Sequence, residues 1–142
     1  MKDGFIRVAT ASIHTKVADC IENTNQIIAC MKEASENHTQ ILVFPELTIS
    51  GYTCEDLFFQ DRLLNESLNQ LKRIVDQSKN LKMVIVVGLP YIYNHKLYNV
   101  AAIIYDGQLL GIVPKTHIPN YNEFYEARHF ESGANIQTEV FF

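Results

Sequence analysis

No apolar run in this 142-residue chain approaches the length needed to cross a bilayer. The first residues, MKDGFIRVATASI, are interrupted by Lys2, Asp3 and Arg7 and make a poor secretory signal, so a cytoplasmic protein is the expectation. A basic surplus is also missing. Lys and Arg number 12 against 16 acidic residues, a net charge of −4, which argues against nucleic acid as a partner. The three cysteines, Cys20, Cys30 and Cys54, have neither paired nor metal-like spacing, and reduced thiols fit best. The five histidines form no short-spaced pair with each other or with a cysteine, so no structural metal is expected. Repeats, low-complexity tracts, linkers and a phosphate-cradling Gly-rich loop are all absent. Charged residues make up 20% and hydrophobic residues 47%, which excludes disorder and leaves one ordinary domain with its own core.

What is present is an alternation of strand and helix patterns. Phe5 to Ile13 reads as a first strand. An apolar stripe at helical spacing follows, through Val17, Cys20 or Ile21, Thr24, Ile27 or Ile28, Met31 and Ala34, and it frays near Asn37 and His38. Ile41 to Phe44 is a short apolar run suited to a strand buried on both faces. Leu63, Leu64, Leu68, Leu71, Ile74 and Val75 place a second amphipathic helix over about Asp61 to Ser78. Lys82 to Leu89 is dense in β-branched residues and reads as a strand ended by Gly88 and Pro90. An Asn94-His95 turn and an Asp106-Gly107 turn then divide a meander into Lys96–Tyr105 and Gln108–Val113. This order predicts an α/β layered fold with a mixed sheet.

Two of these strands end alike, in an apolar run, a proline and an ionisable residue. Pro45 has no N–H to donate and is followed by Glu46, while Pro114 is followed by Lys115. A charge at the tip of a buried strand is costly unless something pairs or uses it. The bland outcome is a structural ion pair. The sharper one is acyl chemistry, with a carboxylate as general base and an ammonium at a developing oxyanion. After Lys115 the chain interleaves polar and aromatic residues, among them Tyr121, Glu123, Phe124, Tyr125, Glu126 and Phe130, more like a binding wall than a core helix. Phe124 can equally serve as loop packing, and Glu126 as a partner of Arg128.

FPELTISGY resembles the first catalytic motif of the carbon–nitrogen hydrolase (nitrilase) superfamily, and PKTHIPNYNEFYEARHF resembles its second. GYTCEDLF and the extension after the lysine are similar to the glutaminase domains of glutamine-dependent NAD synthetases. The resemblance implies a nitrilase-like α-β-β-α sandwich with mixed sheets, of which residues 1–142 are expected to be an N-terminal portion incomplete at the C-terminus. It implies Glu46 as general base, Lys115 as stabiliser of the tetrahedral intermediate and Glu123 as the second glutamate. Tyr121, with Phe124 and Glu126 as neighbours, would contact the glutamine substrate.

The family's nucleophile is a cysteine on a later strand, and this chain has none after Cys54, which lies in a motif where the family does not keep it. The implied activity is therefore a glutamine amidohydrolase that supplies ammonia to a C-terminal synthetase domain, with this piece inactive alone. That partner domain would use ATP and magnesium to amidate nicotinic acid adenine dinucleotide, and no cofactor is expected on the present residues. A homo-oligomer is expected in the intact protein. The alternatives are another carbon–nitrogen hydrolase, such as an amidase or carbamoylase, or a non-catalytic module that keeps the fold.

Overall fold

In the computed structural model, which describes residues 4–136, five strands pair in the order in which they follow one another along the chain. They are β1 (Val8–Thr10), β2 (Ile41–Val43), β3 (Val84–Tyr93), β4 (Lys96–Tyr105) and β5 (Gln108–Pro114). The first three are parallel and the last two antiparallel, giving the mixed sheet anticipated above. The parallel steps are crossed by α1 (Cys20–Glu36) and α2 (Asp61–Gln77). Short 3-10 turns occupy Glu55–Phe59, Glu126–Arg128 and Gly133–Asn135.

Helix α1 starts where Asp19 accepts a hydrogen bond from the Glu22 amide, and it buries Cys20, Asn23, Thr24, Ile27, Ile28, Met31 and Ala34. This is the stripe read from the sequence with Asn23 added and without Val17, which precedes the helix and is exposed. The two helices pack against each other and cover one face of the sheet. That face presents Ala9, Leu42, Ile85, Ile104 and Leu109 in one row, with Val87, Ala102 and Ile112 in the next. Alternation sends the residues between them to the opposite face.

Several strand boundaries differ from the sequence reading. The first strand is confined to Val8–Thr10 because β2, its one neighbour among the described residues, is itself three residues long. Phe5 and Ile6 are exposed. Strand β2 is not buried on both faces: Leu42 points into the core, while Val43 on the other face is 36% exposed. Strand β3 does not stop at Gly88 or Pro90 but continues to Tyr93. Its pairing with β2 ends at Val86, so Pro90 lies in a stretch paired with β4 alone, where a missing N–H is tolerated. The apolar segment Val140-Phe141-Phe142, whose composition suits the start of a further strand, lies outside the described residues.

Among the described residues there is one helical layer and one sheet, half of the expected sandwich. No helix among them is long and apolar enough to cross a membrane. The sheet face away from the helices is built almost wholly of apolar side chains: Val8, Ile41 and Val84, then Val43, Val86 and Ile103, then Ala101 and Val113. Val8 and Val113 are 62% and 53% exposed. A contiguous face of this kind, beyond a few hundred Å², associates with something. The isolated 142-residue chain is expected to self-associate, with a sedimentation coefficient that rises with concentration, and Val43→Lys should reverse this. A chain that stays monomeric at every concentration contradicts the expectation.

Candidate active site

The turn that carries Glu46 is built by backbone geometry. After β2, the Phe44 amide donates to the Val86 carbonyl (2.9 Å), and the Ile49 amide donates to the Gly88 carbonyl (3.2 Å). Between these two ties the chain passes directly over Gly88. A Cβ on Gly88 would stand 2.4 Å from the Leu47 nitrogen and 2.7 Å from the Pro45 oxygen. Such contacts are with backbone, so no side-chain motion relieves them, and only glycine permits the crossing. Leu47 takes a left-handed φ of 52° and is fully buried together with Ile49. The Thr48 hydroxyl donates back to the Pro45 carbonyl. Glu46 is thereby held at the open face of the sheet with its side chain 52% exposed.

Lys115 arrives from the end of β5, with its amide donating to the Asn99 carbonyl on β4 (2.8 Å). Its ammonium sits between two carboxylates. Nζ donates to Glu46 Oε2 at 2.8 Å and to both Glu126 oxygens at 3.1 Å. Glu126 is buried, with only 6% of its side chain exposed, and it also accepts from the Tyr52 hydroxyl at 2.6 Å. Asn99, 2% exposed, donates from Nδ2 to Glu46 Oε2 at 2.9 Å. Beside the cluster lies an open cavity of about 270 Å³ whose walls include Thr15, Glu46, Thr48, Gly51 and Tyr52.

Of the residues singled out in the sequence, Glu46 and Lys115 meet as expected. Glu123 does not join them. It is exposed and makes no ion pair among the described residues, and the second carboxylate on the lysine is Glu126. The reason is local. Asn122 turns the chain with φ 53°, and the 3-10 turn at Glu126–Arg128 then aims the later glutamate inward. Arg128 does not pair with Glu126 either. Its guanidinium grips Asp56 with two bonds of 3.0 and 3.1 Å and keeps that carboxyl below the usual range. Tyr121 and Phe124 pack edge to face on each other, centroids 5.7 Å apart, and neither lines the cavity beside Glu46.

Sequence reasoning did not single out Asn99 and Tyr52. The signal available for Asn99 was a lone amide inside the apolar strand LYNVAAIIY. Tyr52 was part of a quoted motif but carried no distinguishing feature. None of the cysteines touches the cluster. Cys54 is buried and donates to the Ser50 carbonyl, Cys20 contacts Ser67, and burial raises the thiol pKa of both.

Burial pulls the Lys115 pKa down, but the hydrogen bonds and charges of Glu46 and Glu126 outweigh it and hold the ammonium above its ordinary value. Burial, together with Glu126, pushes the Tyr52 phenol up as well. Both folded-state values are raised, so the stabilisation is complete below the ordinary values near pH 10 and is lost as pH rises through the folded ones. Unfolding midpoints in denaturant should therefore drop on the alkaline side of about pH 10. The drop should be shallower in Tyr52→Phe, and an equal slope in the variant would contradict the assignment. Gly88→Ala should destabilise the fold by about 1–3 kcal/mol, as overpacking does, read as a lower denaturation midpoint at unchanged m-value.

A model of the carbon–nitrogen hydrolase family matches residues 7–141. Over 130 residues, 92% of its length, the chain is 40% identical to a glutamine-dependent NAD(+) synthetase of Mycobacterium tuberculosis, and it spans only 19% of that protein. The crystal structure of a glutamine-dependent NAD(+) synthetase from Cytophaga hutchinsonii superposes with a TM-score of 0.89 at 28% identity, covering 96% of this chain and 23% of that one. An amidase from Nesterenkonia, at 20% identity, shares the fold with a TM-score of 0.76 over 94% of this chain and 50% of its own. The chain thus spans about a fifth of the length of the curated relatives it matches.

Proposed function

The chain belongs to the carbon–nitrogen hydrolase family, and from that premise we propose that it forms part of a glutamine-hydrolysing unit in a glutamine-dependent NAD synthetase. The observation that carries the proposal is Lys115 Nζ held between Glu46 and Glu126. A structural ion pair needs one carboxylate. Here the lysine has two, and the Glu46 side chain, unlike that of a merely structural partner, is half open beside a cavity.

In the proposed reaction the nucleophile is a cysteine from outside residues 1–142. Glu46 takes the thiol proton as sulfur attacks the side-chain amide carbon of glutamine. A C–S bond forms, and the carbonyl oxygen becomes an oxyanion that faces the Lys115 ammonium. Glu46 passes its proton to the amide nitrogen, the C–N bond breaks and ammonia leaves. Water then attacks the glutamyl thioester, giving one proton to Glu46, and glutamate departs as the thiol is restored. Buried Glu126, braced by Tyr52, keeps the ammonium charged and aimed throughout. Tyr121 and Phe124, which pack edge to face on each other in the segment after Lys115, are assigned to the substrate wall. Ammonia would be consumed by a synthetase part outside residues 1–142.

The test is a graft. Placed in the Mycobacterium tuberculosis enzyme in exchange for the 130 matched residues, the chain should support glutamine-driven NAD formation. Glu46→Gln and Lys115→Met should lower that rate by about a thousandfold while leaving the ammonia-driven rate intact. The isolated chain should release no ammonia from glutamine. A graft that works with ammonia but never with glutamine would sink the reading.

A further inference from the structure

The structure assigns to Asn99 the positioning of Glu46 against Lys115, so that Oε2 of the base is occupied and Oε1 is the atom that accepts the proton. This deepens the glutamine-hydrolysis reading and rests on it for the identity of the proton donor, but the positioning itself stands on geometry. Asn99 contacts both members of the pair. Its side-chain Nδ2 donates to Glu46 Oε2 at 2.9 Å, and its backbone carbonyl accepts the Lys115 amide at 2.8 Å. Its orientation is fixed by chemistry, because a carboxylate can only accept and the amide must present its nitrogen.

Asn99 also lies between the two strand ends. It pairs with Pro90 on β3, is followed by Val100, the partner of Pro114 on β5, and is 2% exposed. A buried amide on a strand whose neighbours are Tyr98 and Val100 is a desolvation cost, and among the described residues the side-chain contact that offsets it is the one to Glu46. Oε2 receives two donors, Asn99 Nδ2 and Lys115 Nζ, and both donors come from the protein. Among the described residues Oε1 receives none, and with the side chain half exposed it is the oxygen open to a reacting group. Besides Glu46, the ionisable groups in contact with the Lys115 ammonium and its carboxylates are Glu126 and Tyr52.

Asn99→Leu preserves volume and removes the donor. Competitive acetylation of the lysines of the 142-residue chain across pH, read by mass spectrometry, reports the titration midpoint of Lys115 at concentrations too low for association. If Asn99 holds Glu46 on the lysine, the variant should lower that midpoint by about half a pH unit or more, as Glu46→Gln does. A residue that only fills space would leave it unmoved, and that result overturns the proposal. Asn99→Ala provides the same reading should the leucine variant fold poorly. In the graft, Asn99→Leu should reduce kcat for glutamine about 10- to 100-fold with KM within about threefold. Unchanged kcat, or a loss confined to KM, overturns the assignment. A graft inactive with the original Asn99 would instead count against the glutamine reading, while the Lys115 midpoint still decides the positioning.

Discussion

A backbone segment cannot lie across a β-strand at hydrogen-bonding distance if the strand residue beneath it has a Cβ. The path of the chain from Pro45 to Leu47 over Gly88 is that situation, with backbone atoms as near as 2.4 Å to where a Cβ would stand. Everything the site does depends on this approach. It brings Glu46 from the parallel half of the sheet onto the antiparallel half, where Asn99 and Lys115 wait. The same crossing buries Leu47 and Ile49 completely, so the core anchors the turn as firmly as its hydrogen bonds do.

The second strand end follows the same principle. A Cβ on Gly133 would stand 2.7 Å from the Pro114 ring, and the Gly133 amide donates to the Lys115 carbonyl at 2.9 Å. Each proline that closes a strand before a charged residue is therefore backed by a glycine from elsewhere in the chain. Proline ends the ladder, glycine admits the neighbouring segment, and the ionisable residue is held at a fixed place. The charge balance completes the arrangement. Two carboxylates on one ammonium leave the cluster with a net negative charge. Desolvation falls on Glu126, which has Lys115 and Tyr52 to compensate it, while Glu46 stays half open and chemically available.

Much of this was legible in the sequence, and the failures have physical causes. The helical stripe of α1 and the limits of α2, β4 and β5 could be read because periodicity and turn chemistry act within a few residues. The pairing of Glu46 with Lys115 could be read because both follow the same proline punctuation. Which of Glu123 and Glu126 reaches the lysine could not, since it turns on the positive φ of Asn122 and a three-residue 3-10 turn, neither marked by glycine. Gly88 was read as a strand terminator because a glycine in an apolar strand looks the same whether it ends the strand or admits another backbone. Only the segment lying over it distinguishes the two.

Asn99 shows what such a distinction changes in the chemistry. A carboxylate base with both oxygens free can accept a proton at either, and its pose is then an average over rotamers. Fixing Oε2 with one donor from the neighbouring strand and one from the lysine removes that freedom before any substrate arrives, which is where preorganised sites obtain their rate. The amide is a suitable choice for this contact. A lysine or arginine there would add a second charge competing with Lys115 for the carboxylate, whereas an amide orients Glu46 and leaves the electrostatic work to the ammonium. The polar residue inside β4 thus belongs to the site rather than to the sheet, and its burial follows from the two strand ends that close over it.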